Sequence, residues 1–161
     1  MKSCGLLLAL SLFTLEMAGQ PLAISRQEAD SHGIKVTVLD SLYLSAVHVD
    51  STQAVFKTEA QQEMLQNQYI QLLQDLGNYL AKNNFKWERP TGCFNRIYFN
   101  QNGGIDYYIF SFRGKSEEKP SPEQELEFTR LVNLFIQDYK IGMTADQKFA
   151  QCSPTTFMPT E

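Results

Sequence analysis

The chain has 161 residues, 43% of them hydrophobic and 20% charged, with a formal net charge of −4. That acidic balance excludes a nucleic-acid binder, which would carry a basic patch or stripe. The length suits one domain once any leader is set aside.

Met1-Lys2 is a short basic start, Gly5 to Leu15 is apolar, and Met17-Ala18-Gly19-Gln20 supplies small residues. This layout predicts a secretory signal peptide over residues 1–20, cut within 18–23. The apolar run is shorter than the roughly twenty residues a membrane helix needs. The expected product is exported, periplasmic or extracellular in a bacterium, with no membrane span after the leader is removed.

Residues 21–49 read as an N-terminal arm. The stretch 21–33 is polar and unpatterned. IKVTVL (34–39) alternates apolar and polar, as in a short strand or an extended arm, and 41–49 is an ordered loop. Asp50-Ser51-Thr52 then offers a cap, and Leu65, Tyr69, Leu72, Leu73, Leu76 and Leu80 recur at helical spacing. They predict a long helix over 51–83 with a Gln-rich polar side. Gly77 weakens it by roughly 1 kcal/mol relative to Ala unless a close neighbour needs the space.

Two aromatic runs flank Asn102-Gly103 and predict a hairpin over 94–112. A three-residue loop with Gly103 left-handed sets Phe99 opposite Ile105 and Ile97 opposite Tyr107. That register gathers Ile97, Phe99, Ile105, Tyr107 and Ile109 on a core face. Arg96, Tyr98, Asp106, Tyr108, Phe110 and Phe112 then occupy the other face. Either the long helix or the arm covers this second face, or it is a binding surface whose candidate residues are Arg96, Tyr98, Tyr108, Phe110 and Phe112. A two-residue loop would pair Ile97 with Tyr108 and exchange the faces of one strand.

Ser121-Pro122-Glu123-Gln124 opens a second helix, over 122–139, with Pro at its first position. Residues 148–157 read as a closing strand, with Pro154 marking an edge or a bulge. The element order predicts an α+β domain over 50–161: a long N-terminal helix, then β-β-α-β with a three-stranded antiparallel sheet, order 2-1-3, packed on helices. In an oxidising compartment Cys93 and Cys152 are expected as a structural disulfide, stabilising by about 4 kcal/mol in the chain-entropy model, with two free thiols as the alternative.

RIYFNQNGGIDYYIFSF, the capped helix SPEQELEFTRLVNLFIQDY and FAQCSPTTF together resemble the C-terminal domain of TonB-type periplasmic proteins. The resemblance covers residues 87–158 and rests on layout. It implies an extracytoplasmic interaction domain, of a Bacteroidetes-like secreted type, that recognises a partner protein by adding an edge strand. The chain departs from that family in four ways: a leader in place of a retained anchor, no Pro-rich spacer, no Tyr-Pro pair before the hairpin, and a cysteine pair.

For catalysis the candidates are few. His48 and Asp50 stand two apart and would share a face of an extended segment, as a base and its orienter would. A metal site needs three or four ligands, and no third His exists. No cofactor or metal is expected. The sequence therefore points to a non-catalytic protein-interaction or ligand-binding domain with an envelope or secreted protein as partner. The alternatives are an envelope-assembly protein without a small ligand, or a hydrolase using His48 and Asp50.

Overall fold

The computed structural model describes residues 19–159; the expected signal peptide lies outside them up to residue 18. The fold is α+β. The elements are β1 (Leu22–Ser25), α1 (Arg26–Ser31), α2 (Val36–Leu42), β2 (Leu44–Ser45), α3 (Glu59–Lys82), β3 (Thr91–Phe99), β4 (Ile105–Phe112), α4 (Pro122–Ile136) and β5 (Phe149–Phe157). The sheet order is β1-β4-β3-β5-β2.

Two expectations are corrected here. The sheet is five-stranded and mixed, because β1 runs parallel to β4 and β2 parallel to β5 outside the antiparallel trio β4-β3-β5. The long helix is not the first element: α1 and α2 precede it. Both corrections have one cause. Residues 22–46 dock on the sheet, burying Ile24, Ala29, Val36, Leu39 and Tyr43 against Tyr98 and Ile109. Val36, Leu39 and Tyr43 are spaced three and four apart, so the helical period outweighs the short alternation in IKVTVL.

Helix α3 begins at Glu59, not at the Asp50 cap. Thr58 accepts the Gln61 N–H while the Gln61 side chain binds the Thr58 N–H, a reciprocal capping box. Asp50 instead caps a single 3₁₀ turn, Ser51–Gln53. Its buried stripe, Leu65, Tyr69, Leu72, Leu76 and Leu80, meets the same sheet face as Phe128, Leu131, Val132 and Ile136 of α4. Trp87 closes the core by stacking on Phe157, with ring centroids 5.0 Å apart.

The hairpin combines both registers considered above. Asn100 N–H donates to the Gly104 carbonyl (2.9 Å) around Gln101, Asn102 and Gly103, whose φ is +79°. Phe99 accordingly faces Ile105. Asp106 is then an extra residue, a bulge, and beyond it Ile97 faces Tyr108 and Tyr98 faces Tyr107. The bulge turns Tyr108, Phe110 and Phe112 into the main core, where Phe110 and Phe112 pack on the Phe128 ring at 5.1 and 5.5 Å. Tyr107 and Ile109 turn to the opposite face.

Candidate strand-docking site

The bulge disperses the hairpin residues singled out in the sequence. Tyr108 and Phe110 are 0% exposed and Phe112 is buried in the main core. Arg96 and Tyr98 lie on the other face beneath α2. There Arg96 Nη1 is 2.7 Å from Asp40 Oδ2, and the Tyr98 hydroxyl donates to Asp40 Oδ1 at 2.9 Å. Burial, then the carboxylate, push the Tyr98 phenol well above its ordinary range. These five residues thus hold the fold together from two sides and form no common surface.

The expected disulfide is corrected as well: Cys93 and Cys152 are free thiols. Arg96 is the residue that faces Cys152 across the β3–β5 ladder, while Cys93 faces Thr155. Positions 93 and 96 differ in parity, so the two side chains project from opposite faces of the sheet. Cys93 is buried, and burial raises its thiol to about 12.

His48 and Asp50 do not face each other as base and orienter. His48 Nδ1 accepts the Asp50 backbone N–H at 3.0 Å. The Asp50 carboxylate is taken up by Gln53 Nε2 (2.9 Å) and by the Thr52 hydroxyl and N–H (2.7 and 3.0 Å), which lower its pKa to about 2. Among the described residues no three His, Cys, Asp or Glu side chains gather as a metal site. No described helix is long and apolar enough to cross a membrane.

Among the described residues the sheet presents an unfinished edge along β5. The outer side of β1 is closed by α4: Asn133 Oδ1 accepts the Ala23 N–H (2.8 Å) and Asn133 Nδ2 donates to the Ala23 carbonyl (2.7 Å). The outer side of β2 is closed by residues 55 and 56, whose N–H groups donate to Ser45 and Ala46. Strand β5 is different, because β2 covers only Phe149 and Ala150. The last bond is Ala46 N–H to the Ala150 carbonyl, 2.9 Å. Since Ala150 faces outward, the period of two makes Cys152, Pro154 and Thr156 face outward too. Their outward groups are the N–H and C=O of Cys152, the C=O of Pro154, and the N–H and C=O of Thr156. None has a partner among the described residues. Pro154 sits where its missing N–H takes nothing from the β3 ladder, the placement a strand proline requires.

A groove of about 720 Å³ runs along this edge, between β5 and the flank of α3. Leu65 and Tyr69 form its floor, and Val47, Ile70 and Leu73 its apolar walls, with Ile70 45% exposed. Hydrogen bonds hold the strand from beneath. Asn95, fully buried, accepts from the Tyr108 hydroxyl (3.0 Å) and the Cys93 thiol (3.3 Å) and donates to Thr155 Oγ1 (2.9 Å). Ser153 donates to the Tyr69 hydroxyl at 3.1 Å, and burial raises that phenol to about 12. The sequence signals for this site are Pro154 and the Gln-rich flank of α3. They mark an edge without showing which side of it is open.

No family model, no curated protein and no solved structure matches this chain.

Proposed function

We propose that this protein is a non-catalytic interaction domain that takes up an extended segment of a partner protein as an added strand on β5. The observation that carries the reading is the row of unpaired outward groups from Cys152 to Thr156, next to sheet edges that the chain itself closes. A docked strand would make two backbone bonds at Cys152, one at Pro154 and two at Thr156. Each contributes a net of about 0.5–1.5 kcal/mol. The groove under α3 would receive alternate side chains of the guest, which is how β-augmentation obtains specificity. The leader-like N-terminus and the TonB-like layout of residues 87–158 agree with this reading and would place the partner among envelope or secreted proteins.

The test is a selection of linear twelve-residue peptides from a displayed library, followed by amide exchange on the bound complex. Selected peptides are expected to protect the Cys152 and Thr156 amides at least tenfold. Thr156→Pro, which removes one outward donor and leaves the β3 ladder intact, is expected to weaken binding about two- to twelvefold while preserving the circular dichroism spectrum. Peptides that bind Thr156→Pro as tightly as the parent, or leave both amides exchanging freely, would refute the proposal.

A further inference from the structure

The groove beside β5 differs in character from one end to the other. Phe56, just before α3, packs on Phe149 at the start of β5 with ring centroids 5.0 Å apart, and Tyr69 reaches Ser153 four residues further on. Helix and strand therefore advance together. The first turns of α3 border the end of the groove nearest β2, and Ile70 and Leu73 border the end nearest Thr155. Glu59 and Glu63, one helical turn apart and exposed, stand at the β2 end. Neither makes an ion pair among the described residues. A guest strand would thus run from an apolar trough to a pair of free carboxylates.

Resting on the strand-accepting reading, we infer that the occupant is a basic extended segment. It carries a Lys or Arg beside Glu59 and Glu63 and apolar side chains at alternate positions over Tyr69, Ile70 and Leu73. The alternation follows from the period of a strand. The base follows from charge complementarity, which selects partners and speeds encounter more than it adds affinity. A second copy of this chain is a poor occupant. Residues 151–157 contain no Lys or Arg to meet the carboxylates, and each copy carries a net charge of −4.

Two synthetic nonapeptides test this, each alternating valine and threonine, one with arginine at both ends and one with glutamate at both ends. Affinities are read by fluorescence anisotropy at low ionic strength on the full chain. The arginine peptide is expected to bind about three- to tenfold tighter, the range of one or two rim charge pairs. The preference is expected to vanish in Glu59→Gln/Glu63→Gln and to reverse in Glu59→Lys/Glu63→Lys. It is expected to persist in Glu88→Lys/Glu117→Lys, which changes net charge equally at residues that do not line the groove. Equal binding of both peptides, or loss of the preference in that control, overturns the basic-partner inference and leaves the open edge standing. Binding of neither peptide overturns the strand-accepting reading itself. A dimer of the chain that Thr156→Pro dissociates would replace the basic segment with a second copy.

Discussion

The side-chain amide of Asn133 grips the backbone of Ala23 on both sides, donating to its carbonyl at 2.7 Å and accepting its N–H at 2.8 Å. A helix side chain thereby stands in for a missing strand. Ala23 is buried, so loss of these partners would strand two polar groups away from water. Asn133→Ala is expected to lower stability by about 2–3 kcal/mol, measured as the shift of a urea midpoint at unchanged slope. The Ala23 amide should become fast to exchange. A change below about 0.5 kcal/mol would show that the edge has another closure.

Thiol chemistry separates the two cysteines. Cys152 is exposed, whereas Cys93 is buried with its thiol raised to about 12. A chromogenic disulfide reagent is expected to modify Cys152 in native buffer within minutes and Cys93 only on unfolding. Peptide mapping under non-reducing conditions should show no Cys93–Cys152 crosslink. A crosslink in the folded protein would contradict the register of β3 and β5.

Buried tyrosines make the fold less stable at alkaline pH. The Tyr69 phenol is raised from its ordinary 10 to about 12 by burial, and Tyr43, Tyr98 and Tyr139 shift in the same direction, also mainly through burial. Above pH 10 the unfolded chain loses these phenol protons first, so the tyrosine contribution is constant below that pH and falls above it, while the buried Cys93 thiol, raised from 9 to about 12, begins the decline about one unit earlier. The fall attributable to Tyr69 approaches about 1.4 kcal/mol per pH unit between the two values. Urea titrations from pH 8 to 11.5 should show the decline, and Tyr69→Phe should make it shallower. A slope unchanged by that substitution would count against a buried Tyr69.

Two glycines should respond in opposite senses to alanine. A Cβ on Gly77 would meet nothing within 4 Å, so Gly77→Ala is expected to stabilise α3 by roughly 1 kcal/mol. A Cβ on Gly103 would lie 2.7 Å from the Ile141 carbonyl and press on that of Met143, at a φ of +79°. Gly103→Ala is expected to destabilise by more than about 1 kcal/mol. Thermal melts of the two variants check both signs.

Features set by near neighbours are legible in the residues. Leu65, Tyr69, Leu72, Leu76 and Leu80 mark the buried side of α3 by spacing alone, Ser121 and Pro122 start α4, and Gly103 shapes the hairpin loop. Their physics acts within a turn or two of chain. The arm was not legible as sheet and helix, because β1 and β2 are two to four residues long and gain their order only from distant β4 and β5. Short parallel strands carry no local signal of their partners.

The face of β4 was decided the same way. Its sequence is apolar on both sides, so a single bulged residue, Asp106, determines which aromatics enter the core. That choice is fixed by Phe128 on one side and Tyr43 and Lys148 on the other. The candidate site follows the same rule. Pro154 announces an edge in the sequence, but only the early departure of the chain after Ala46 leaves Cys152 to Thr156 open. Local periodicity determined which elements form; contacts between residues far apart in the chain decided which surfaces they cover, because burial depends on what arrives from elsewhere.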